Sequence, residues 1–250
     1  MDVFRINFEL KANLDEIVPF GEKGGYSLSW FGLTDGLLWI TAGDKTVYEY
    51  SDAAMREWGG TRYNDYYLSR FLEDFSDIFE KIAQPVSKEQ YDSVEGFIER
   101  SDKQLERLNE DDPEFDRLYD EYLENRTWFG DRVFDSGHLK GGPLIGCFRC
   151  DDKLKFYWNG DYLLESGESI WTAPRGSFEM PYDYFADEVK RFFAEFYVKM
   201  DEQVKRSLNK DWGEIKVDKE YLVRENSERK IGFDQKLTLI RRQSADKNKP

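Results

Sequence analysis

The sequence predicts an α+β fold of two similar halves. Each half is an antiparallel hairpin or small sheet followed by a long amphipathic helix, and a helical insert lies between them. Three observations carry this expectation. Short apolar, β-rich runs broken by turn residues occur in the first 50 residues and again between 144 and 173. A helical apolar stripe follows each set. A nearly constant offset relates the two sets.

The elements follow in order. Val3 to Leu10 alternates as a strand, with Val3, Ile6, Phe8 and Leu10 apolar. Ser27 to Leu33 and Leu37 to Thr41 flank Thr34-Asp35-Gly36, which predicts a hairpin, because Asp-Gly suits a tight turn. Thr46 to Tyr50 adds a strand, and Ser51 opens a short helix through Met55 and Trp58. A helix is predicted over 64–83, with the stripe Tyr67, Phe71, Phe75, Ile78, Phe79 and Ile82, ended by Gln84-Pro85.

In the insert, Ser101-Asp102-Lys103-Gln104 has the form of a capping box, and Asp112-Pro113 that of an N-cap with proline at the first helical position. Gly137 and Gly141-Gly142-Pro143 mark a loop. Leu144 to Phe148, Leu154 to Trp158 and Ser169 to Ala173 then read as strands, with Asp151-Asp152-Lys153 as a turn. Pro181 starts a long helix with the stripe Phe185, Val189, Phe193, Phe196, Tyr197 and Met200. Asp218 caps a last helix toward Ile240.

A shift of 117 carries Phe31 to Phe148, Asp35 to Asp152 and Trp39 to Phe156. A shift of 118 carries the first stripe onto the second. This reads as an ancient duplication, although helical period alone supplies part of the match. The expected division is a first half over 1–86, an insert over 87–136, a second half over 137–212, a C-terminal helix over 213–242 and a flexible tail over 243–250. All belong to one compact body.

Composition narrows function by exclusion. Aromatics make up 16% of the 250 residues, enough to fill a core. The formal net charge of −15 opposes general binding to nucleic acid or to anionic membranes. It favours a basic protein partner. No apolar signal core or membrane-spanning run is present, and two cysteines make no disulfide framework, so a cytoplasmic location is expected.

Candidate chemistry is sparse, and no catalytic residue is assigned. Cys147-Phe148-Arg149-Cys150 is a CxxC, a spacing that suits a redox pair or half a zinc site. Here it runs along a strand, and the cysteines read as small buried hydrophobes. Asp135-Ser136-Gly137-His138 crowds triad residue types into one loop, where triad geometry is rare. Glu73, Asp74, Asp77 and Glu80 read as a solvated helix face. Arg175 is either an anion fork in a cleft or, with Gly176, part of a tight turn. No cofactor or metal is expected. The acids Glu110, Asp111, Asp112, Glu114 and Asp116 are the candidate partner-binding face.

Trp30-Phe31-Gly32-Leu33-Thr34-Asp35-Gly36, Trp171-Thr172-Ala173-Pro174-Arg175-Gly176-Ser177 and Met200-Asp201-Glu202-Gln203-Val204 resemble an uncharacterised bacterial family of the domain-of-unknown-function series, the one numbered 5984. The resemblance runs from about Phe4 to Trp212. It implies a bacterial cytoplasmic origin and carries no activity or site residue with it. The expected function is a non-catalytic interaction protein, such as an immunity protein neutralising a basic toxin. The alternative is an enzyme or small-ligand module with a cleft between the halves.

Overall fold

The computed structural model describes residues 3–22 and 24–241, with the side chain of Arg241 left aside. The chain order is β1 (Phe4–Leu10), β2 (Ser27–Leu28), α1 (Trp30–Leu33), β3 (Asp35–Ala42), β4 (Lys45–Val47), α2 (Asp52–Trp58), β5 (Asn64–Tyr67), α3 (Leu68–Asp77) and α4 (Phe79–Ala83). It continues with α5 (Lys88–Asp92), α6 (Phe97–Arg107), α7 (Phe115–Gly130), β6 (Val133–Asp135), β7 (Leu144–Cys150) and β8 (Lys153–Asn159). Last come β9 (Arg175–Pro181), α8 (Tyr182–Asn209), β10 (Lys216–Val217) and α9 (Lys219–Arg241). The fold is mixed α+β. Its two larger sheets are antiparallel, and β10 pairs parallel with β2. The tail over 243–250 lies outside the described residues.

In the first sheet, β1 and β3 run antiparallel over their full length, and β4 and β5 share the other edge of β3. The second sheet has the order β6-β7-β8-β9. In both, three adjacent antiparallel strands lead straight into a helix: β1, β3 and β5 into α3, and β7, β8 and β9 into α8. Even the junction hydrogen bond is alike. Leu68 N–H donates to Thr34 C=O and Tyr182 N–H to Asp152 C=O, at 2.9 and 2.7 Å.

The residue offsets read from the sequence hold only in part. Trp39 and Phe156 both lie in strands, and Phe71, Phe75 and Phe79 fall with Val189, Phe193 and Tyr197 in helices, but other pairs differ, so the duplication is not shown. Phe31 lies in α1 whereas Phe148 lies in β7, and Asp65–Tyr67 belongs to a strand whereas Asp183–Phe185 belongs to a helix. The expected hairpin at Thr34-Asp35-Gly36 is also absent. The segment before it coils into α1 to bury Trp30 and Leu33, while Asp35 and Gly36 lie within β3. Gly36 is there because β1 passes closely: a Cβ at that position would sit 2.3 Å from the Glu9 carbonyl oxygen. A glycine demanded by a neighbouring strand reads locally as a turn.

Other boundaries moved as well. The helix expected over 64–83 is β5, α3 and α4, because the first four residues pair with β3 and Ile78 breaks the helical run. The strand that pairs with β8 on its far side from β7 is β9, not 169–173. Ser101 lies inside α6, and the capping box is Ser87 with Gln90, opening α5. The strand expected over 46–50 stops at Val47, where Tyr48 adopts a positive φ of 66°. In contrast α2, β7, β8, α8 and α9 lie where the periodicity placed them, and Asp218 Oδ1 accepts from Tyr221 N–H at the head of α9.

The core has two parts. The larger lies among the inner faces of both sheets, α3, α4, α8 and α9. All six stripe residues of α8 are at most 3% exposed, and each such side chain contributes roughly 1.5–3 kcal/mol by burial. The smaller part lies under the insert, where Tyr91, Phe97 and Phe129 cover Phe148 and Tyr157. The helical insert is therefore the second cover of the β7–β8 pair, and this explains why that pair reads as continuous apolar runs rather than alternating ones.

Candidate functional site

β1 is an edge strand, and an edge leaves backbone N–H and C=O groups without ladder partners. Gly43 N–H donates to Val3 C=O and Lys11 N–H to Asp35 C=O, both at 3.0 Å. In this register the odd residues of β1 make the ladder. The even residues, Phe4, Ile6, Phe8 and Leu10, therefore turn their backbone groups toward the open edge.

Helix α8 lies along that edge and closes both of its ends with side chains. Tyr184 Oη donates to Phe4 C=O at 2.9 Å and accepts from Phe4 N–H at 3.3 Å. Glu188 Oε1 accepts from Ile6 N–H at 2.8 Å, and Arg191 donates to Ile6 C=O at 2.5 Å. Glu188 is 7% exposed and also pairs with Arg191 at 2.6 Å. Hydrogen bonding to Glu188 is the main cause that raises the Arg191 pKa and keeps the guanidinium charged. At the far end Gln203 Nε2 donates to Lys11 C=O at 2.9 Å, and Arg206 reaches Ala12 C=O.

Between these closures, no partner among the described residues reaches the outward groups of Phe8 and Leu10. A groove of about 620 Å³ opens there. Its floor is Phe8 and Leu10, and its far wall is Ala194 and Val198 on α8. Val198 is 56% exposed. Glu9 stands exposed beside it and has no ion pair among the described residues. The groove thus combines an apolar floor and wall with a charged rim of Lys11, Glu195, Lys199, Glu202 and Arg206, a row of free backbone donors and acceptors, and in Glu9 a carboxylate without an ion pair among the described residues. It joins a strand of the 1–86 segment to a helix of the 137–212 segment. The alternation of β1 is legible in the sequence, but its edge position is not, so the sequence alone does not mark these residues.

The residues singled out by sequence lie elsewhere. Glu110, Asp111 and Asp112 occupy the α6–α7 connection, Glu114 is the N-cap position of α7, and Asp116 lies in its first turn. All five are exposed. Glu114 pairs with Arg117 at 2.5 Å, and Asp112 Oδ1 accepts from Glu114 N–H at 2.9 Å. Helix α7 starts at Phe115, two residues beyond Pro113, the expected first helical position. Arg175 opens β9 rather than a turn. It is exposed, pairs with Asp161, and comes within 4.0 Å of Glu99. A bound anion there would compete with two carboxylates.

Cys147 and Cys150 are three apart in one strand, so they project from opposite faces of β7. Cys147 lies in the larger core and Cys150 packs against the smaller one. The two thiols cannot share a metal ion or bond to each other in this conformation, and burial pushes the Cys147 thiol pKa up. Ser136 is buried with its Oγ 2.6 Å from Tyr48 Oη. His138 instead packs on Tyr66, ring centroids 4.7 Å apart. The loop holds no triad. Glu73 and Asp77 bond Arg229 and Lys236, both at 2.5 Å, and so join α3 to α9 instead of facing solvent alone. Asp74 pairs with Arg70 at 3.0 Å. No cluster of three metal-ligating side chains and no helix long and apolar enough to cross a membrane is found among the described residues.

A family model described as "Family of unknown function (DUF5984)" matches residues 5–249. No curated protein and no solved structure matches the chain.

Proposed function

The chain belongs to this family of unknown function, DUF5984, and from that premise we propose that it is a non-catalytic, cytoplasmic interaction protein of the immunity type, binding a basic protein such as a bacterial toxin. One observation carries the reading. The net charge is −15, and five carboxylates crowd one exposed helix connection where Arg117 is the only cation paired with them among the described residues. Such a surface projects a negative field that speeds encounter with a basic partner. Lasting affinity then has to come from buried contacts, because rim charges act mainly on the association rate.

The test is to isolate protein partners from the native host and follow binding kinetics at two salt concentrations. Replacing Glu110, Asp111, Asp112, Glu114 and Asp116 by their amides should slow association and flatten its salt dependence, with folding stability unchanged. Failure to recover any protein partner, together with a metabolite that raises the melting temperature, would reject the reading. A second reading, a small-ligand module, has the groove in its favour, since that groove lies between the two segments expected to flank a cleft.

A further inference from the structure

We infer that the groove between β1 and α8 accepts an extended segment of the partner, which adds as an antiparallel strand to the edge of β1. This deepens the interaction reading and rests on it. The outward N–H and C=O of Phe8 and of Leu10 form two donor–acceptor pairs on one edge, two residues apart. An antiparallel strand satisfies all four with two of its own residues, one opposite Phe8 and one opposite Leu10. A parallel strand would place a single residue between them and use only one group of each.

The side-chain closures set the length. Glu188 and Arg191 stop the site at Ile6, and Gln203 and Arg206 stop it at Lys11 and Ala12. Three partner residues fill the open stretch. Directly opposed residues in a sheet share a face. The two residues opposite Phe8 and Leu10 therefore point to the α8 side, against Ala194 and Val198, and should be apolar. The middle residue opposes Glu9 on the other face, where a lysine or arginine meets a free carboxylate. The occupant is an apolar–basic–apolar segment in extended conformation, a mode in which the main chain gives affinity and alternate side chains give specificity.

The experiment selects a displayed library of random heptapeptides on the intact protein. Enriched peptides should carry the apolar–basic–apolar pattern. Methylating the amide nitrogen of either apolar residue should weaken binding at least tenfold, whereas methylating that of the middle residue should be tolerated, because its N–H points away from β1. Val198→Arg fills the groove from α8 and should weaken binding at least tenfold. Leu10→Pro removes an outward donor while sparing the ladder to β3, with the same expected loss. Should Leu10→Pro fail to fold, Val198→Arg decides, since it changes an exposed helix position. Glu9→Lys should switch the selected middle residue from basic to acidic.

Absence of enrichment, or peptides that bind Val198→Arg as tightly as the parent, would overturn the inference. So would a concentration-dependent dimer abolished by Val198→Arg, which would assign the groove to a second copy. A native partner slowed by amides at the acidic connection yet indifferent to Val198→Arg would refute strand addition alone. A partner with the reverse response would refute the steering role of that connection alone.

Discussion

Replacing Glu188 should expose what the α8 closure contributes to the fold. In Glu188→Ala the N–H of Ile6, a residue 1% exposed, loses its acceptor. A buried donor left unsatisfied costs about 1–3 kcal/mol. Arg191 loses its buried partner but keeps Glu195 and Ile6 C=O, and it is 23% exposed, so the further loss is about 1 kcal/mol after solvent screening. The expected total is about 3 kcal/mol. With a urea slope of about 3 kcal/mol per M, the unfolding midpoint falls by about 1 M at unchanged slope. Glu188→Gln keeps an oxygen for Ile6 N–H and should cost about 1 kcal/mol, near the loss of the ion pair alone. Glu195→Gln, which removes the exposed partner of the same arginine, should stay within about 0.5 kcal/mol. Urea melts followed by tryptophan fluorescence and by circular dichroism measure all three. Equal losses for Glu188→Ala and Glu195→Gln, or for Glu188→Ala and Glu188→Gln, would refute the reasoning.

Two further outcomes follow from the same physics. A thiol reagent should modify Cys150 in the native protein and reach Cys147 only on unfolding. Cys147→Ala should cost about 1 kcal/mol through lost packing, and rapid native labelling of Cys147 would contradict its place in the core. Burial holds the His138 imidazole below its ordinary pKa of 6.5, so the fold favours the neutral ring. Its contribution to stability is therefore complete above pH 6.5 and declines as pH falls from there toward the lowered folded value. His138 is the only histidine, so thermal melts of His138→Gln should lack that part of the pH dependence, and an unchanged profile would refute the assignment.

What could be read from the sequence was what neighbours in the chain decide. The α8 stripe, the Asp218 cap and the β7–β8 turn follow from local period and turn chemistry. The misreadings trace to long-range demands. Gly36 looked like a turn because the Glu9 carbonyl that requires it is absent from any local window. Residues 64–67 looked helical because their apolar spacing suited α3, yet β3 claimed them as a strand. Ser101 matched a capping box, but the helix had already begun at Phe97. The groove was illegible for the same reason. Its free backbone groups depend on which strand ends the sheet and on where a helix about 180 residues away stops covering it.

That distance also has a temporal side. β1, β3 and β5 are all made once Tyr67 has been synthesised, whereas Glu188 and Arg191 come about 120 residues later. At ~5–20 residues per second the nascent sheet waits on the order of 10 s for the side chains that seal its first strand. If β1 pairs with β3 in that interval, Phe4 and Ile6 present the same unpaired groups as Phe8 and Leu10, and the edge open to strand addition is longer than in the finished fold.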